Sequence, residues 1–139
     1  MGIDYGSRRV GVAVSDPMRI IAQGAGTLAN DEELLRQLEK TIRERGVTLV
    51  VVGMPYSEDG GKGAKALEVD RFIDRLKRHV SVEVDTWDES LSSEEARQLL
   101  LRTGMKKKQR RQKGRVDEMA ARLFLQEYLD RRTEWEQQN

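Results

Sequence analysis

A single mixed α/β domain is what this sequence predicts. Three short apolar stretches precede any helical period, helical stripes then alternate with further apolar runs, and the chain is 139 residues long. That length holds one core of ordinary size and not two, so the domain is expected to span residues 1–139. Strands first and βαβ crossovers afterwards give one sheet with an antiparallel start and helices on both faces.

Each element has its own local reason. Ile3 to Gly6 is apolar around one acid, Ser7-Arg8-Arg9 breaks it, and Val10 to Val14 returns as the second arm of a tight hairpin. Ile20 to Leu28 follows the Asp16-Pro17 turn as a third strand, with Asp16 read as an Asx-type turn residue. The period then changes: Asn30 and Glu33 form a capping box, Leu34, Leu35, Leu38 and Ile42 make one helical stripe, and Gly46 sits at a left-handed cap. Val47 to Val52 is the β-branched run of a strand buried on both faces in parallel pairing. Turn chemistry from Gly53 to Gly61 leads to a helix striped by Ala66, Val69, Phe72, Ile73 and Leu76, with Arg71, Arg75 and Lys77 on its wet side. Val80, Val82 and Val84 alternate with polar residues as a half-exposed strand. A Ser92 to Glu95 box opens a helix closed by Gly104. The last helix is expected from Val116 to Asp130, facing inward through Val116, Met119, Ala120, Leu123 and Phe124, before a frayed polar tail from Arg131 to Asn139.

Composition narrows the chemistry. Charged residues make up 35% of the chain, yet 25 Lys+Arg against 24 Asp+Glu leave a net charge of only +1, so charge placement matters more than its total. Without cysteine there is no disulfide framework and no thiolate chemistry, which fits a reducing compartment. His79 is the one histidine, so catalysis must lean on carboxylates, hydroxyls, Lys or Arg. No apolar run approaches the ~18 residues of a membrane span, and the expectation is a cytoplasmic protein with no membrane partner.

Three acids stand apart because each is embedded in apolar or turn sequence: Asp4 in the first strand, Glu89 after the strand ending near Thr86, and Asp117 at the opening of the last helix. Lone buried carboxylates are costly unless paired or bound to a metal. A hard divalent cation with oxygen ligands resolves the conflict, and such ions activate water and stabilise the departing oxygen of a phosphodiester. Asp88 is an alternative to Glu89, and Glu118 competes with Asp117 for the role of opposing the helix dipole. A stretch of seven cations with no acid among them, Lys106, Lys107, Lys108, Arg110, Arg111, Lys113 and Arg115, precedes Asp117 directly and suits a phosphate backbone. Arg8 and Arg9 at the first hairpin turn extend the same track. Gly60-Gly61-Lys62-Gly63 lacks the spacing of a phosphate loop and reads as a loop tip.

Gly2-Ile3-Asp4-Tyr5-Gly6-Ser7-Arg8-Arg9-Val10-Gly11-Val12-Ala13-Val14-Ser15-Asp16, Val51-Val52-Gly53-Met54-Pro55, Asp88-Glu89-Ser90-Leu91-Ser92-Ser93-Glu94-Glu95-Ala96 and Val116-Asp117-Glu118-Met119-Ala120-Ala121 resemble, in this order, the successive motifs of the YqgF/RuvX family. The resemblance implies a ribonuclease H-like fold: a mixed five-stranded sheet of order 3-2-1-4-5 with strand 2 antiparallel. It implies a metal-dependent nuclease trimming the 5′ end of pre-16S ribosomal RNA in ribosome biogenesis, or a Holliday junction resolvase acting on branched DNA. Asp4, Glu89 and Asp117 match the family's metal-binding, catalytic acids, with Mg²⁺ or Mn²⁺ as cofactor. The expected partner is nucleic acid, as structured RNA or branched DNA, and the expected assembly is a monomer or a homodimer. A non-catalytic nucleic-acid-binding scaffold is the remaining alternative. The sequence departs from the family's pattern in the nearness of Asp4 to its start and in Ser57, where relatives often carry Asn.

Overall fold

The computed structural model describes residues 1–89, 98 and 113–138. Its sheet runs β3-β2-β1-β4-β5, built from β1 (Gly2–Tyr5), β2 (Arg9–Ser15), β3 (Ala22–Ala29), β4 (Leu49–Met54) and β5 (Glu83–Asp88). β2 is antiparallel to both β1 and β3, whereas β4 pairs in parallel with β1 and β5. This is the expected ribonuclease H-like order. β4 is buried along almost its whole length, as its β-branched run requires of a strand flanked on both sides and covered on both faces.

Helices α1 (Leu34–Arg45) and α2 (Ala64–His79) cover one face, and α3 (Lys113–Gln138) the other. Alternation along the strands sorts the side chains. Ile3 and Tyr5 join Val10, Val12, Val14, Val50, Val52 and Met54 beneath α1 and α2, while Ala13 and Val51 meet Ala121, Phe124, Leu125 and Leu129 of α3. Asp4 and the glycines at 11 and 53 therefore fall on the α3 face.

Several boundaries differ from expectation for local physical reasons. Glu33, not Asn30, caps α1, and it makes no side-chain cap bond. The Asn30 amide instead donates to the Gly6 carbonyl at 2.8 Å, tying the end of β3 to the β1–β2 turn. β3 begins at Ala22, leaving Ile20 and Ile21 exposed outside it. The Asp16 carboxylate accepts from the backbone N–H of Met18, Ile20 and Ile21, so this stretch is spent on the turn, in which Asp16 acts as expected. β5 starts at Glu83 because α2 runs to His79 and the Val80 N–H caps it on the Leu76 carbonyl. Trp87 and Asp88 consequently belong to the strand. α3 opens earlier than expected and continues through Gln138 in place of a frayed tail, supported by Thr133 donating to the Leu129 carbonyl and by an Arg132–Glu136 pair at 3.4 Å. Its buried stripe is Ala120, Ala121, Phe124, Leu125 and Leu129, with Val116, Met119 and Leu123 only half-buried. The helix expected from Ser92 to Gly104 lies outside the described residues apart from Gln98, which is helical. Among the described residues no helix is long and apolar enough to cross a membrane.

Candidate active site: three acids at the carboxyl ends of the strands

Asp4 lies opposite Gly11 in the β1–β2 register, and Gly11 is where α3 comes closest to the sheet. A Cβ at Gly11 would collide with the backbone of Asp117 and Glu118. The missing side chain lets the first turns of α3 descend onto β2 and set Asp117 beside Asp4. The same device works on the other side. Glu89 follows β5, its N–H bonded to the Met54 carbonyl at 3.2 Å, and its carboxyl lies over Gly53, where a Cβ would meet the Glu89 carboxyl and the Phe124 ring. Strand parity also separates Glu89 from its neighbour: Asp88 is exposed, whereas Glu89 is only 3% exposed. Three elements far apart in sequence thus deliver Asp4, Glu89 and Asp117 to one place, beyond the carboxyl ends of β1 and β4, where open α/β sheets bind ligands.

Asp4 is the middle member, 6% exposed and in side-chain hydrogen-bond contact with both Glu89 and Asp117. Like charges in contact cannot all ionise, and burial removes the water that would screen them. Burial, with the Asp4 charge second, pushes the Glu89 carboxyl up to about 9. The same two causes push Asp117 up to about 6, and burial raises Asp4 as well. The arrangement therefore favours the protonated form of Glu89 most, and that of Asp117 only below about pH 6. Among the described residues no group of three or more acids or histidines is spaced to hold a metal ion; the acids instead meet one another through Asp4.

Two cations oppose this charge. The Arg9 Nε is buried without a hydrogen-bond partner, 4.0 Å from Asp117 Oδ2. Lys65, in the first turn of α2, acts electrostatically on all three acids. Sequence reading missed Lys65, since nothing in a helix's first turn announces that it faces a site built from other elements. Of the expected phosphate contacts, Arg8 is exposed at the β1–β2 turn and Arg115 is exposed early in α3. Lys113 begins α3. Lys106, Lys107, Lys108, Arg110 and Arg111 lie outside the described residues.

The chemistry of the donors, rather than their present spacing, suits a hard divalent cation. All the ligating atoms on offer are carboxylate oxygens, and Glu89 Oε2 is buried with no hydrogen-bond partner, a costly condition for a polar atom. A cavity of about 730 Å³ lies at the opposite end of the sheet, around Met1, Asp16, Arg45, Leu49 and Arg132, and shares no residue with the acids. That cavity has none of the acid site's chemistry.

The Gly60–Gly63 segment behaves as a loop tip: Lys62 pairs with Asp70 at 2.9 Å, and Ser57 closes the turn on Asp59 and the Gly61 carbonyl. His79 pairs with Glu39 at 2.8 Å, joining α2 to α1, and takes no part in the site.

Comparison with known proteins gives the chain's relatives. A protein from Chlorobaculum tepidum described as "Putative pre-16S rRNA nuclease" is 42% identical over 131 residues, covering 94% of this chain and 92% of its own. Proteins of the same description from Geobacillus kaustophilus, 40% identical over 134 residues, and Salinibacter ruber, 41% identical over 133, each cover 94% of this chain and 96% and 92% of their own lengths. The family model RuvX, described as Holliday junction resolvase, matches residues 1–131. With five strands in the expected order, the family model matched over residues 1–131 and relatives matched across nearly the whole length, the chain belongs to the RuvX family.

Proposed function

We propose that this chain processes precursor 16S ribosomal RNA by hydrolysing phosphodiester bonds at Asp4, Glu89 and Asp117. The observation that carries the reading is the meeting of these three acids, with Asp4 in contact with both partners and a buried Glu89 oxygen left unpaired. Membership of a nuclease family makes the chain a hydrolase of phosphodiesters, and the preference for RNA comes from the description its relatives share.

Asp4, Glu89 and Asp117 would hold Mg²⁺ or Mn²⁺, which suit oxygen-only ligands. When bound, such an ion supplies positive charge to the phosphate oxygens and lowers the pKa of water. The chain's own residues prepare the rest. Asp4, central and fixed in β1, orients the set. Glu89 and Asp117 release protons as they become ligands, and the Arg9 charge near Asp117 eases that release. Lys65 compensates the charge of the acids and stands ready to oppose that of a phosphate.

Asp4→Asn keeps the shape but turns one accepting oxygen into an NH2 donor and removes the central negative charge. Cleavage of a 5′-extended 16S precursor in Mg²⁺ or Mn²⁺ should fall by about 100-fold or more, with circular dichroism unchanged. Retained divalent-dependent cleavage by the variant would refute the assignment. The family's own description favours a second reading, resolution of four-way DNA junctions. Symmetric junction cleavage needs two sites and hence a dimer, so assaying a junction beside the precursor, with the mass in solution measured, separates the two.

A further inference from the structure

Beside the acid site, on the other side of the β1–β2 turn, runs a groove of about 530 Å³ lined by Tyr5, Ser7, Glu68, Arg71, Asp74, Arg75 and Arg78. Its basic wall is one helical face: Arg71, Arg75 and Arg78 stand at i, i+4 and i+7 of α2, about 10 Å from end to end at 1.5 Å per residue. All three are exposed. Among the described residues neither Arg71 nor Arg78 has an ion-pair partner within 4.0 Å, although Glu68 and Asp74 lie in the same groove. Arg75 Nη2 donates to the Tyr5 hydroxyl at 3.3 Å, and the Tyr5 ring stacks on Phe72 at 4.4 Å between centroids, giving the groove a rigid floor. The floor belongs to the same strand as Asp4, one residue on.

The turn itself links groove and site. Ser7 lines the groove, Arg8 is exposed at the crest, and Arg9 approaches Asp117. A polyanionic strand crossing the acids would meet Arg8 at the turn and then the three α2 arginines, which outnumber the groove's acids, Glu68 and Asp74. Guanidinia free of acidic partners are suited to phosphate oxygens, which they bind in bidentate fashion.

We propose that the α2 groove is a second contact surface for RNA, in which Arg71, Arg75 and Arg78 hold the phosphates of the strand flanking the cleavage position. It rests on the RNA reading above and extends it from the acids to a track leading away from them. The contact assigned to its guanidinia is to backbone phosphates, which position a strand.

The test is the salt dependence of binding by the full chain to a labelled single-stranded RNA oligonucleotide. Arg71→Ala/Arg78→Ala removes two phosphate contacts at exposed positions, so the slope of log K against log salt should become shallower by about 1.4, with weaker binding at low salt. Glu68→Lys adds a cation to the same wall and should tighten binding and steepen the slope, an effect that misfolding cannot mimic. Unchanged slopes in both variants overturn the groove as a contact surface. Cleavage of the precursor by the unmodified chain is followed in parallel. If the slopes shift while that cleavage is absent, the groove stands and the nuclease reading falls; if cleavage is present and the slopes stay put, the groove alone is wrong.

Discussion

Gly11 and Gly53 do for this site what a ligand residue cannot do for itself: they leave room. Replacing a strand glycine with alanine ordinarily stabilises by about 0.4–1 kcal/mol through the unfolded chain. At Gly11 the added methyl would strike the Asp117 backbone, and overpacking of this kind costs about 1–3 kcal/mol. The clash wins. Gly11→Ala should lower the thermal midpoint and, because the displaced backbone is that of Asp117, depress cleavage by more than the lost stability accounts for. A control at Gly46, whose Cβ would meet nothing but whose φ of +63° is left-handed, should lose stability and keep its specific activity. Equal activity in the two folded variants would show that close approach at Gly11 has no bearing on the acids. Asp4 was legible in the sequence as an acid inside an apolar strand. The choice between Asp88 and Glu89 was not, since it depends on which face the last residues of an edge strand present, and neither were the glycines, whose role exists only once α3 lies against β2.

Among the elements, α3 carries the heaviest duty: it brings Asp117 to the site with its first turns and seals the sheet with the rest. Phe124, fully buried, packs with Leu125, Leu129 and Val51, and its ring also lies beside Gly53 beneath the Glu89 carboxyl. Two polar ties fasten the same helix to the edge strand: Trp87 Nε1 donates to Glu127 at 3.0 Å and the Tyr128 hydroxyl to Asp85 at 3.1 Å. Phe124→Ala should cost about 3–5 kcal/mol, readable as a fall in the denaturant midpoint at constant slope, whereas Trp87→Phe, which loses one exposed bond and trims a half-buried indole to a phenyl ring, should cost less, about 1 kcal/mol. Comparable losses would mean that the edge ties and not the buried stripe hold α3. Periodicity made the stripes of α1 and α2 and the Gly46 cap readable because each depends on local spacing. It misjudged Asn30, whose amide is claimed by a carbonyl 24 residues away. The start of β5 was misplaced because apolar alternation at Val80 and Val82 lost to the preceding helix's need for a C-terminal cap. The basic face of α2 read as an ordinary wet side, since what makes it a groove is the β1–β2 turn opposite.

For the whole molecule, the acid cluster makes stability depend on pH in an unusual sense. Asp117 rises to about 6 and Glu89 to about 9 from ordinary values of 3.8 and 4.5. Groups whose pKa is raised on folding bind more protons in the folded state, so their contribution is fully present below the unfolded values. It is lost as pH climbs, first through about 6 and then through about 9. The Met1 amine opposes this trend. Burial lowers it from 8.0 to about 6, so folding favours its neutral form and its contribution grows between those two values. The raw pH profile mixes both effects, and the difference between the unmodified chain and Glu89→Gln removes the amine from the comparison. In a chelating buffer the unmodified chain should lose thermal midpoint relative to Glu89→Gln steadily between pH 5 and 8, the loss levelling off as pH passes the raised Glu89 value of about 9. Mg²⁺ held by the folded site would offset part of that loss at pH 8, raising the unmodified chain by about 2.7 kcal/mol at a hundred times its dissociation constant, while the variant would gain less. A difference profile flat in both buffers would mean that Glu89 is not paired with Asp4 in the buried site, and the three acids would then have no claim to a shared ion.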